Sequence, residues 1–78
     1  MTKDDLLKRV SVEPHVCGGM PCVRGTRIPV AAVLDALAED LSPEAVLDHY
    51  PSLRPEDIRA AVAYGAELAR ENIWKITA

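Results

Sequence analysis

The side chains that could hold a metal or pass electrons gather in one place: His15, Cys17 and Cys22, in and just before the run "VCGGMPCVRGTRIPV" at residues 16 to 30. The C-x4-C spacing falls within the loose range of paired zinc ligands, but a structural zinc site takes four. His49 is the other histidine, so acids or a second subunit would have to complete the set. The C-x-x-C spacing of thioredoxin-like redox motifs is absent. Two reduced thiols in a turn is the simpler reading, and a disulfide across that turn is disfavoured in a reducing compartment. No cofactor and no metal is expected; a metal-linked interaction module on His15, Cys17 and Cys22 stands as the least favoured alternative.

The same run offers a second kind of chemistry. Its glycines lack the Lys-Ser/Thr pair of a phosphate loop and the spacing of a dinucleotide fingerprint, so turn formation explains them better. Arg24 and Arg27 flank Gly25-Thr26, and with Lys8 and Arg9 they could lie along a phosphate backbone. Residues 1 to 29 carry five bases against three acids (5 − 3 = +2), whereas residues 30 to 78 carry four against nine (4 − 9 = −5). An anionic partner would therefore meet the N-terminal part. The alternative is that the arginines pair with acids or cap carbonyls within the fold. No nucleophile and base stand at a triad-like spacing, so no catalytic residue is expected and the chain reads as a binding protein, not an enzyme.

The last residues, "ENIWKITA", hold Ile73, Trp74 and Ile76 beside Arg70 and Lys75. Tryptophan is enriched at binding hot spots, which makes this segment a candidate protein-binding surface. The other reading folds Trp74 back onto a thin core.

These groups must be carried by a small number of elements. A chain of 78 residues makes one domain with a thin core. Its start has two acids and no long apolar stretch, so it is no secretory signal, and no run approaches a membrane span; a cytoplasmic location is expected. Residues 3 to 9 can form one or two helical turns. Val10, Val12 and Val16 alternate like a strand, Gly18-Gly19 turn the chain, and Val23 and Ile28 anchor a second extended piece bent at Gly25. After Pro29 the period becomes helical. Val30, Val33, Leu34, Leu37 and Leu41 predict a helix over 30–40. Ser42-Pro43-Glu44 caps and starts a second helix to about Tyr50, and Pro55-Glu56-Asp57 starts a third with Ile58, Ala61, Val62, Gly65, Leu68 and Ala69 as its stripe. The expected core is Val30, Val33, Leu34, Leu37, Val46, Leu47, Ile58, Val62 and Leu68. Glu56 and Asp57 at the start of the third helix would repel phosphates, which argues against that helix as a groove reader.

Five pieces in order carry a resemblance: the G-G-x-P turn at Gly18 to Pro21, R-G-T-R-I-P at Arg24 to Pro29, S-P-E at Ser42 to Glu44, Y-P-x-L at Tyr50 to Leu53, and E-D-I at Glu56 to Ile58. From about Val10 to Ala69 the chain resembles the domain of unknown function 433 family, small antitoxin-like proteins. The resemblance implies a mainly α fold: a short N-terminal β-hairpin or arm (1–29), a trihelical homeodomain-like helix-turn-helix (30–72) and a C-terminal tail (73–78). It also implies a partner, a PIN-like toxin that acts as a metal-dependent ribonuclease, and repression of the shared operon through operator DNA. The expected protein is a homodimer with DNA contacts at Lys8, Arg9, Arg24, Thr26 and Arg27. Toxin contacts are expected at Arg70, Ile73, Trp74, Lys75 and Ile76, where a cation would reach into the toxin's acidic cleft. A stand-alone DNA-binding regulator is the alternative. Two positions depart from the family pattern. Asp40-Leu41 stands where glycine is frequent, which predicts a turn of different shape. Cys22 stands where an aliphatic residue is usual, which favours a buried thiol that acts as a small hydrophobe.

Overall fold

The computed structural model describes residues 1 to 71. Thr2 opens the first helix, α1 (Lys3–Leu7), by a reciprocal cap. Its hydroxyl accepts from the Asp5 N–H at 3.2 Å, and the Asp5 carboxylate accepts from the Thr2 N–H at 3.1 Å. The two bonds satisfy two donors that a helix start would otherwise expose, and they hold the Asp5 carboxyl below its ordinary pKa. A helix of this length does not persist alone in water. Leu6 packs into the common core, and Lys3 pairs with Glu67 of the last helix.

Two short strands follow, β1 (Val10–Ser11) and β2 (Cys22–Val23), antiparallel with Val10 opposite Val23 and Ser11 opposite Cys22. Cys22 also bridges Pro29. The strand expected to reach Val16 stops at Ser11: Val12 is 56% exposed, and Pro14 has no N–H to give a ladder. Between the strands Cys17, Gly18 and Gly19 have φ of 52°, 63° and 83°. They form a left-handed turn closed by Gly19 N–H to Val16 O and Met20 N–H to Cys17 O. Glycine adopts this conformation freely, whereas Cys17 does so at a cost of about 1 kcal/mol.

The trihelical unit is α2 (Val30–Ala38), α3 (Pro43–His49) and α4 (Pro55–Glu71). α2 ends two residues earlier than its apolar period suggests, because Asp40 turns left-handed at φ 72°. Asp40 N–H donates to Leu37 O and Leu41 N–H to Ala36 O, both at 3.1 Å, the paired bonds of a Schellman end. Asp40 thus takes the left-handed conformation that glycine adopts most readily. Ser42 caps α3 by accepting from Ala45 N–H at 3.1 Å, and Pro43 occupies its first position as predicted. Pro51 ends that helix, and the Tyr50-to-Leu53 turn lowers Leu53 into the core.

The core combines Leu6, Val10 and Val23 with Val30, Val33, Val46, Leu53, Ile58, Ala60 and Ala61. Residues 1–29, the N-terminal part with its short hairpin, share the core of the helices, with α1 and β1 packed on α4. Two expected core residues are corrected: Val62 is 49% exposed and Leu68 43%. The buried face of α4 is centred on Asp57, Ile58, Ala60 and Ala61, which leaves Val62 on its flank. Leu68 shares the direction of Ala61 but lies about two turns further along. Leu34, Leu37 and Leu47 are half-buried against the core. Gly65 faces Leu34 of α2, and a Cβ there would stand 3.1 Å from Leu34 Cδ1, a tight contact that the leucine side chain would have to ease. No helix among the described residues is long and apolar enough to cross a membrane.

Candidate functional site

The basic residues of the hairpin are where the sequence placed them, but several are already engaged. Arg24 binds three successive carbonyls: its Nε donates to Lys8 O at 2.7 Å, its backbone N–H to Arg9 O at 2.7 Å and its Nη2 to Val10 O at 3.1 Å. It thereby closes the end of α1 and continues the β1–β2 pairing. Thr26 Oγ1 donates to Val23 O at 2.8 Å and accepts from Ile28 N–H at 3.1 Å, which fixes the turn bent at Gly25, φ 81°. Arg9 Nη1 donates to Asp57 Oδ1 at 3.1 Å. Lys8 and Arg27 have exposed side chains. Of the five residues expected to meet phosphates, Arg9, Arg24 and Thr26 therefore carry structural bonds, and Lys8 and Arg27 project outward. Arg24 keeps donors beyond the two it uses, since a guanidinium has five.

Asp57 changes the charge seen at the start of α4. It is 7% exposed; one oxygen takes Arg9 and the other accepts from Arg54 N–H at 2.9 Å, completing the helix cap. One of the two acids expected to repel a duplex is thus turned inward, while Glu56 stays half-exposed and Arg54 and Arg59 are exposed around it. Met1, Asp5, Lys8, Arg9, Arg24 and Asp57 border an open hollow of ≈ 370 Å³.

The thiols lie in the same hairpin. Cys17 Sγ donates to Arg27 O at 3.2 Å. Cys22 is 1% exposed and behaves as the buried small residue that was expected. Burial pushes its thiol up to about 11, and the neighbouring Cys17 adds to the rise. His15 is exposed. Among the described residues no three His, Cys, Asp or Glu side chains converge as a metal ion would require, so the geometry offers the metal-linked alternative no support.

Apolar surface is concentrated on both flanks of α4. On one, Leu6, Leu37, Pro43, Ile58, Val62 and Ala63 line a hollow of ≈ 420 Å³ with Arg59 at its edge. On the other, Met20, Pro21, Val30, Leu34, Tyr64 and Leu68 border a smaller one of ≈ 150 Å³. Sequence reasoning missed both because it assigned Val62 and Leu68 to the core. The usable signal was the excess of apolar positions on α4 over what one covered face can hold. Arg70, expected at the toxin interface, donates to Glu67 at 2.9 Å on the exposed surface. Ile73, Trp74, Lys75 and Ile76 lie outside the described residues.

The comparisons with known proteins agree with this architecture. The chain is 46% identical over 55 residues to the uncharacterized protein y4eO of Sinorhizobium fredii (strain NBRC 101917 / NGR234). That match takes in 70% of this chain but only 25% of the relative's length, so the chain spans about a quarter of the curated relative. The fold is shared with the crystal structure of a DUF433 member protein from Anabaena variabilis ATCC 29413. Its TM-score is 0.73 and its identity 33%, over 92% of this chain and 70% of that one. The family profile described as "Protein of unknown function (DUF433)" matches residues 10–65, from β1 through the middle of α4, and on that span the chain belongs to the DUF433 family.

Proposed function

We propose that the chain works by binding, as an antitoxin-like partner of a PIN-like ribonuclease in the cytoplasm. One observation supports this reading above others: the apolar hollow on α4, with half-exposed Val62 beside Leu37, Pro43 and Ile58 and the Arg59 cation at its edge. Apolar contact on a rigid helix supplies affinity, and a neighbouring cation suits a partner whose cleft holds metal-binding acids. Residues 73–76 would add Trp74 and its neighbours to that contact, with Arg70 or Lys75 directed at the acidic cleft. The test is co-purification of the full chain with a PIN-like protein encoded beside it, in parallel with Val62→Asp. A complex with the native chain and at least a tenfold loss with the variant support the reading; no complex with the native chain overturns it. Full protection by a chain cut after Asn72 would remove residues 73–76 from the mechanism.

A second reading, operator binding through the basic N-terminal part beside the α4 start, gains from the inward turn of Asp57. With that acid neutralised by Arg9, the bases Lys8, Arg27, Arg54 and Arg59 face outward against the remaining acids of the hairpin and the α4 start, Glu13 and Glu56. Mobility shifts on the upstream DNA should then weaken steeply with salt. Absence of any shift, with or without the toxin and as monomer or dimer, excludes it.

A further inference from the structure

We propose that Cys17 and Cys22 are a reversible two-electron oxidation site that closes to a disulfide on meeting hydrogen peroxide. The chain has two cysteines, and Cys17 opens the left-handed turn that leads, five residues on, to Cys22. Both abut the same segment: Cys17 Sγ donates to Arg27 O, and the Cys22 backbone bridges Pro29. The rise in the Cys22 pKa names Cys17 as its neighbour, in keeping with that placement. Cys17 is also a non-glycine residue held in the left-handed region at φ 52°. Such outliers persist only where the surrounding structure enforces them, and this one positions the sulfur.

The two thiols divide the work by exposure. Cys17 is half-buried and reachable, while Cys22 is enclosed. The Cys17 thiolate attacks one oxygen of the peroxide. The O–O bond breaks, the second oxygen leaves and takes up a proton as water, and Cys17 becomes a sulfenic acid. The Cys22 sulfur then attacks the sulfenic sulfur as its proton departs; the S–O bond breaks and a second water leaves. Two thiols lose two electrons and two protons, and the peroxide is reduced to two waters. The bond would close a ring over residues 17 to 22, which contains Met20 and Pro21. Those two residues form one wall of the smaller hollow beside Val30, Leu34 and Tyr64. Oxidation therefore fixes a wall of one apolar flank of α4 and reduction releases it, independently of which partner that flank meets.

The full chain, purified reduced, is treated with a few equivalents of hydrogen peroxide, quenched, alkylated with iodoacetamide and weighed intact. The expected product is a monomer about 2 Da lighter than the reduced chain, unalkylated, returned to two alkylatable thiols by dithiothreitol. Its melting temperature should rise by roughly 5 to 10 °C through closure of the short loop. Cys22→Val retains an apolar filling for the core and should stop at the Cys17 sulfenic acid, trapped by dimedone. The proposal is overturned if the native chain gives over-oxidised Cys17 with Cys22 still alkylatable after unfolding. A disulfide only between chains, or thiols that survive the peroxide, overturns it equally.

Discussion

Arg9 and Asp57, forty-eight residues apart in sequence, meet at 3.1 Å and tie the end of α1 to the start of α4. The carboxylate also accepts the Arg54 N–H at 2.9 Å, so one buried acid caps a helix and holds a cation from another element. The guanidinium is about a third exposed and the carboxylate a tenth, which places the pair between a surface bridge and a buried one.

Removing Asp57 should therefore cost more than an exposed bridge would. Asp57→Ala leaves Arg9 half-buried without its acid and the α4 start uncapped. We expect a loss of about 2–3 kcal/mol, measured by urea unfolding. Arg9→Ala combined with Asp57→Ala should lose less than the sum of the single changes, because the cation is then gone as well. Additive losses would mean that the two groups act separately.

Asp40→Gly should stabilise the chain by about 0.5–1 kcal/mol, since the left-handed φ of 72° costs an L-residue what glycine avoids. For a domain of this size that is about 2–8 °C in melting temperature. Asp40→Val, β-branched at the same φ, should lower it. An unchanged melt for the glycine variant would show that the Asp side chain compensates locally.

Arg24→Lys should destabilise by about 1–2 kcal/mol, because an ammonium at that position cannot reproduce the fork to Lys8 O and Val10 O. Lys8→Ala and Arg27→Ala, by contrast, should leave the melting temperature within a degree or two. If operator DNA is bound, those two changes should each reduce the salt slope of binding by about one. A loss of fold in Arg27→Ala would move that residue from the binding surface to the framework.

The Cys22 thiol gives a pH dependence with a definite sign. Its folded value is pushed up to about 11 from an ordinary 9.0 by burial, so the unfolded chain ionises first. The contribution to stability is complete below pH 9, falls as pH rises between 9 and 11, and is gone above 11. Urea midpoints taken across pH 8 to 10.5 should decline for the native chain and decline less for Cys22→Val. Equal slopes would assign the decline to other groups.

The residues that punctuate the chain were legible because their effects are local. Gly18 and Gly19 have the positive φ that their pairing suggested, Gly25 bends the chain as expected, and Pro43 with Ser42 starts α3 where it should. Asp40 shows the limit of that approach: its type did not announce the left-handed φ of 72° that it adopts within the hydrogen bonds closing α2. Val62 and Leu68 show the other limit, since helical period marks an apolar stripe without saying how wide the covering layer is.

The sequence by itself determined the order of elements, the turns and the mainly helical class, because backbone preferences and apolar period act within a few residues of one another. Only the tertiary structure decided the fate of the charges and thiols. Arg24 became a carbonyl clamp, Asp57 an inward cap and Cys22 a buried neighbour of Cys17. Val62 became surface. Those outcomes depend on α1 and the hairpin docking on α4, and such docking follows from complementary shapes across tens of residues, which no local pattern encodes.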